Sequence, residues 1–115
     1  MMHRGEVWVA NLNPRRGAET DKIRPVLVVQ ADWLTAAGAE TVLMIPLSTK
    51  ARPSLEPLRV RISARDRLLH DCVALPEKTR ALDRARFGQG PLATLTEQEM
   101  ATVERSLAAV LGMET

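Results

Sequence analysis

Between Lys22-Ile23-Arg24-Pro25 and Gln30 the chain passes abruptly from charge to Val26-Leu27-Val28-Val29, an apolar run too short for a helix and β-branched at three of four positions. Such a run reads as a buried central strand. Arg24 stands at its mouth. Pro25 fixes its own φ and drives Arg24 towards extended backbone, so stiff chain aims the guanidinium where loop meets core. A proline is most readily accepted as the first residue of a strand, so Pro25 is expected to open this one. Thr41 to Leu47 repeats the device in reverse, an apolar strand running out into Ser48-Thr49-Lys50. If the two strands pair antiparallel, Arg24 and Ser48/Thr49 meet at one rim.

The remaining pattern fills in a small, mostly β domain. Arg4 to Leu12 alternates Val7, Val9 and Asn11 against Glu6, Trp8, Ala10 and Leu12, which predicts a strand covered on both faces with Trp8 in the core. Asn13-Pro14 breaks it, and the polar loop Arg15 to Ile23 is longer than a hairpin needs. Ala31 to Gly38 predicts a short turn or single helical turn. A second loop, Ala51 to Pro57, is stiffened by prolines. Leu58-Arg59-Val60-Arg61-Ile62 predicts a half-exposed strand with both arginines facing water or a ligand. Asp66 to His70 reads as a turn, Cys72 to Leu75 as a strand, and Thr79 to Asp83 as a short extended or 3₁₀ piece in which Arg80 and Asp83 can pair. Thr96 and Glu99 form a capping box. From there Met100, Val103, Leu107 and Val110/Leu111 recur at helical spacing until Gly112, so the helix lays an apolar stripe on the sheet. Six or so short strands around one core, with one C-terminal helix, imply a strongly bent sheet or barrel comprising residues 1–115 as one domain.

Composition narrows the chemistry. One cysteine, Cys72, excludes an internal disulfide, and two distant histidines with it offer no zinc spacing. The apolar run near the start is interrupted by Glu6 and is too short for a signal peptide or membrane span, so a soluble, cytoplasmic chain is expected. Sixteen Lys and Arg against fourteen Asp and Glu leave a net charge of only +2. Yet Arg15, Arg16, Lys22, Arg24, Lys50 and Arg52 gather in or beside the two loops, a local field suited to phosphates or simply two solvated loops. No GxSxG, P-loop, dinucleotide-binding or HExxH motif occurs. Catalysis, if present, rests on Arg24, Ser48, Thr49, Lys50, Glu19 and Arg80. That set needs no metal or other cofactor if the substrate brings its own nucleophile. A ribose 2′-OH beside a phosphodiester qualifies RNA and excludes DNA, with an arginine fork and a hydroxyl donating to the developing phosphate charge. Arg24 as a rim ion pair, Thr49 or Ser48 as a strand-end hydroxyl, Glu19 as a solvated carboxylate and His70 as a surface residue are the plain alternatives.

The segments Arg4-Gly5-Glu6-Val7-Trp8, Leu12 to Glu19, Arg24-Pro25-Val26-Leu27-Val28, Pro46 to Lys50, Asp71 to Leu75 and Thr79 to Asp83 resemble, in order and spacing, the MazF/PemK toxins of bacterial toxin–antitoxin pairs. The resemblance implies an α+β, mostly β fold, a small SH3-like barrel of short antiparallel strands with a C-terminal helix, as in CcdB and MazF. It further implies a homodimer, metal-independent cleavage of single-stranded RNA, and a MazE-like antitoxin whose disordered tail covers the RNA groove. Carried over residue by residue, Arg24 and Thr49 are the catalytic pair with Ser48 beside them. The base is left between Glu19 and water, and on their charge Arg15, Arg16, Lys22, Lys50, Arg52 and Arg80 are expected to face RNA. Glu19-Thr20 and Lys78-Thr79 depart from the Glu-Gln and the glutamine common in relatives, at positions where bases are read. The rival class is a CcdB-like toxin that inhibits DNA gyrase by binding alone. It needs neither Arg24-Pro25 nor Ser48-Thr49. A plain nucleic-acid-binding barrel is poorly served by Trp8, Trp33 and Phe87 as the sole aromatic residues.

Overall fold

The computed structural model describes residues 1–14, 17–18, 22–50 and 58–113. Its strands are β1 (Glu6–Asn11), β2 (Ile23–Val28), β3 (Thr41–Ser48), β4 (Val60–Ile62), β5 (Cys72–Ala74), β6 (Arg80–Asp83) and β7 (Ala93–Thr94). Its helices are α1 (Asp32–Ala36), the single turn anticipated after β2, and α2 (Glu97–Val110). The order β4-β5-β3-β2-β1-β7 is antiparallel throughout, and β6 pairs with the first half of β3. One edge of β3 is therefore shared, by β6 from Thr41 to Met44 and by β5 at Leu47 and Ser48. Pro46, which has no N–H to offer, lies between the two pairings, and its carbonyl accepts from Leu75.

Alternation along the three central strands puts apolar side chains on both faces, and each face has its own core. Val7, Leu27, Ile45 and Leu47 pack with Ile62, Leu68, Ala93, Met100 and Val103. Trp8, Ala10, Leu12, Val26, Met44, Leu82 and Phe87 form the other. Backbone bonding of Val9 to Gly88 and Gln89, and a bridge from Ala10 to Phe87, bring the segment before β7 across the second face. Trp8 is half-buried rather than enclosed. Its ring lies against Gly90, where a Cβ would stand 2.1 Å from the indole, so any side chain there forces the ring to shift.

The capping box at the start of α2 is present in full: the Glu99 amide donates to Thr96 Oγ1 at 3.1 Å, and the Thr96 amide to Glu99 Oε1 at 2.9 Å. Arg65 grips both oxygens of the same carboxylate at 2.6 Å. This guanidinium, more than anything else, holds the Glu99 carboxyl down at about 2. The helix ends as the sequence expects, with Gly112 at φ +71 and its neighbour Met113 donating to Ala108, the arrangement of a Schellman cap.

Four expectations need correction. Pro25 is the third residue of β2, not the first. Arg59 does not face water; it is 9% exposed and paired with Glu77 of the 3₁₀ turn Pro76–Lys78, while Arg61 alone points outward from β4. Arg80 and Asp83 form no ion pair, because residues three apart on a strand leave from opposite faces, and Asp83 instead accepts from the Ala85 amide. Finally, the α2 stripe is only half covered: Met100 and Val103 are buried, but Val110 and Leu111 are 38% and 62% exposed.

Candidate active site

The β2–β3 pairing answers the question the sequence posed about the rim. Val26 pairs with Pro46, Leu27 with Ile45 and Val28 with Met44, so the same register continued sets Pro25 against Leu47 and Arg24 against Ser48. Val9, the β1 partner of Pro25, spends its amide and carbonyl on Gln89 and Gly88, which turns the nitrogen of Pro25 towards β3. Having no N–H, Pro25 cannot complete the ladder there. The Leu47 carbonyl accepts instead from Arg24 Nη1 at 3.4 Å. A proline inside the strand thus explains both where β2–β3 pairing stops and why the half-buried arginine leans towards the end of β3.

At that end the two hydroxyls differ. Ser48 Oγ accepts from the Lys50 amide at 3.0 Å and donates to the Lys50 carbonyl at 3.3 Å, closing a tight turn. Thr49 is exposed, and its hydroxyl makes no hydrogen bond among the described residues. Behind both lies a cavity of about 240 Å³ whose walls include Pro25, Leu47, Ser48, Thr49, His70 and Leu92. Cys72 also touches it, but burial first, and Asp71 second, push its thiol up to about 11, so it stays protonated and unreactive near neutrality.

Of the residues singled out from sequence, Arg24, Ser48, Thr49 and Lys50 come together at this rim. Lys22, exposed and in the left-handed region at φ +74, stands two residues before Arg24, its amide held by Asn13 Oδ1 at 3.0 Å. Arg80 lies apart. It pairs with Met44, four residues or roughly 13 Å back along β3, and its Nη1 is buried with no partner among the described residues. Arg15, Arg16, Glu19 and Arg52 lie outside the described residues.

Three contributors went unrecognised in the sequence. Lys78 donates from Nζ to the Ala18 carbonyl, and Arg86 to the carbonyls of Asn11 and Asn13, so the first loop is gripped at Ala18 and at its stem. Lys78 had been read only as a departure at a base-reading position. His70, on the surface as expected, shares the cavity wall with Thr49. No local pattern announces such contacts, since each joins segments distant in sequence.

The family described as "PemK-like, MazF-like toxin of type II toxin-antitoxin system" matches residues 3–111. The chain is 32% identical over 116 residues to "Endoribonuclease MazF" of Staphylococcus saprophyticus subsp. saprophyticus, covering 100% of this chain and 95% of that one. It superposes on the crystal structure of MazF from Deinococcus radiodurans (form I) with a TM-score of 0.82 at 26% identity, covering 97% of each chain. The MazE-MazF structure from the same organism (form II) gives 0.76 at 26% identity, covering 98% of this chain and 97% of that one. This chain, with its Arg24-Pro25 strand opposed to the Ser48-Thr49 rim, belongs to the PemK-like, MazF-like toxins of type II toxin–antitoxin systems.

Proposed function

We propose that the chain is an endoribonuclease toxin that cuts single-stranded RNA at short sequences by attack of the ribose 2′-oxygen on the adjacent phosphorus, inhibiting translation and growth. The observation that supports this reading is the reach of Arg24 to the Leu47 carbonyl at the end of β3, beside Ser48 and the exposed Thr49, in a member of a family that includes a named endoribonuclease. The 2′-oxygen bonds to phosphorus, the P–O5′ bond breaks, and the products carry a 2′,3′-cyclic phosphate and a 5′-hydroxyl. The nucleophile belongs to the substrate, so the protein's share is orientation and stabilisation of charge on the phosphorane oxygens.

Arg24 suits that share and not the role of base. A guanidinium stays protonated at neutral pH, and its planar fork donates to two phosphate oxygens at once. Thr49 supplies a further donor, whereas Ser48 is committed to the Lys50 turn and supports the backbone. Lys22 and Lys50 stand beside the rim and hold the RNA backbone electrostatically, and Arg15, Arg16, Arg52 and Arg80 are assigned to RNA binding on their charge. The proton acceptor in this reading is Glu19 or water.

A MazE-type antitoxin is the partner this reading assigns, by analogy with the MazE-MazF assembly of Deinococcus radiodurans. A homodimer belongs to the same proposal, supported by the apolar side chains that the end of α2 leaves uncovered, Val110, Leu111 and Met113. A cytoplasmic location fits a toxin acting on mRNA, and among the described residues no helix is long and apolar enough to cross a membrane. The CcdB-like alternative is not favoured, since family and curated relative both lie with MazF. The test is incubation with a long RNA in EDTA followed by mapping of the ends. Discrete cuts with 5′-hydroxyl ends support the reading, and intact RNA at every protein concentration refutes it.

A further inference from the structure

We propose that His70 is the general base of the cleavage, accepting the 2′-hydroxyl proton from its place on the cavity wall shared with Thr49. This rests on the endoribonuclease reading above and puts the acceptor on a described side chain in place of Glu19 or water. His70 belongs to the loop between β4 and β5, yet it lines the 240 Å³ cavity together with Pro25, Ser48 and Thr49. It borders Thr49 again in the adjoining open hollow, with Ala64 and Asp71. The imidazole is exposed, so a substrate phosphodiester seated against Thr49 can reach it.

The loop that presents it is pinned on both sides. Arg65 and Leu68 exchange backbone hydrogen bonds at 3.0 and 2.8 Å, the Arg67 amide donates to Leu92 at 2.9 Å, and Arg67 Nη2 to the Pro91 carbonyl at 2.6 Å. Asp71 Oδ1 accepts from the Ala64 amide at 2.7 Å, and the chain then enters β5 at the buried Cys72. A catalytic group needs such a fixed support more than it needs a place on a strand.

Among the described residues at the rim, elimination points the same way. A guanidinium such as that of Arg24 does not accept a proton near neutrality, and Cys72 is buried with its thiol held protonated. Imidazole is the side chain that ordinarily titrates between pH 5 and 8. The charged or titratable groups sharing these walls with it are Arg67, Asp71 and Cys72, while β3 contributes Ser48 and Thr49 and β2 contributes Pro25. In the step, neutral imidazole takes the 2′-OH proton as the 2′-O–P bond forms. The P–O5′ electron pair goes to the 5′-oxygen, which takes a proton from water, and the imidazolium returns its proton to the hydroxide left behind.

The experiment is single-turnover cleavage of single-stranded RNA by the full chain at saturating protein, from pH 5 to 8.5, for the parent, His70→Gln, His70→Ala and Glu19→Gln. The parent rate should rise tenfold per pH unit on its acid side and then level. His70→Gln should lower the plateau by about a hundredfold or more, the usual share of a positioned base, and abolish the acid limb. Added imidazole should restore cleavage by His70→Ala in proportion to its free-base concentration, which a merely structural histidine does not predict. Parent-like rate and acid limb in His70→Gln, absence of imidazole rescue, or loss of the limb in Glu19→Gln alone overturns the assignment and leaves the endoribonuclease reading standing. A parent that cuts no RNA overturns both.

Discussion

Glu99→Gln separates the charge of one carboxylate from its geometry. Glutamine at that position can still complete a capping box with Thr96, so the helix start is retained and only the ionic grip of Arg65 is lost. The carboxyl falls from 4.5 in an unperturbed chain to about 2 in the fold, chiefly through Arg65, a difference worth roughly 3 kcal/mol at full strength. The Arg65 and Glu99 side chains remain 22% and 28% exposed, and solvent screening brings the expected loss to about 2 kcal/mol. For a domain of this size that is on the order of 8 °C in Tm. The sign with pH follows from the depressed value: the unfolded chain binds the proton more readily, so the stabilisation is complete above 4.5 and is lost as pH falls through about 2. Thermal melts of parent and variant from pH 7 to pH 2 should therefore converge at the acid end. A gap that stays constant over that range, or no gap at pH 7, refutes the argument.

At the rim, Arg24→Lys keeps the charge and loses the fork, so RNA affinity should persist while single-turnover cleavage falls on the order of a hundred- to thousandfold. Thr49→Ala should do the same without rescue by Ser48, whose hydroxyl is bonded to the Lys50 backbone; an uncleavable RNA measures affinity separately in both cases. Gly90→Ala drives a methyl group into the Trp8 ring and should cost about 1–3 kcal/mol of stability in denaturant unfolding, with indole fluorescence reporting the displacement.

What was legible in the sequence is what local chemistry specifies. Val26, Leu27 and Val28 are fully buried because a β-branched apolar run admits little else, and Thr96, Glu99 and Gly112 cap α2 by rules confined to a few residues. The approach of Arg24 to the end of β3 was legible only on the condition of antiparallel pairing, and the β2–β3 register is antiparallel. Arg59 was misjudged because its neighbour pattern looks amphipathic, whereas its environment is set by Glu77 on a turn reached only after β5. Pro25 was misplaced because strand position was weighed without the neighbouring strand: a proline is tolerated mid-strand where its nitrogen faces the point at which pairing ends. His70 and Lys78 were missed for the same reason, since the cavity wall and the Ala18 contact exist only once the sheet has curled.

The central claim is that the substrate's own 2′-hydroxyl is the nucleophile, with Arg24 and Thr49 stabilising the phosphorus centre it attacks. The most direct measurement is single-turnover cleavage, in EDTA, of an RNA oligonucleotide carrying one cut site and of the same oligonucleotide with a single 2′-deoxy substitution at the nucleotide 5′ to the scissile phosphate. The account predicts that the all-ribo strand is cut to a cyclic phosphate and a 5′-hydroxyl, while the substituted strand binds with similar affinity and remains intact. Cleavage of the deoxy-substituted strand at the parent rate would contradict it.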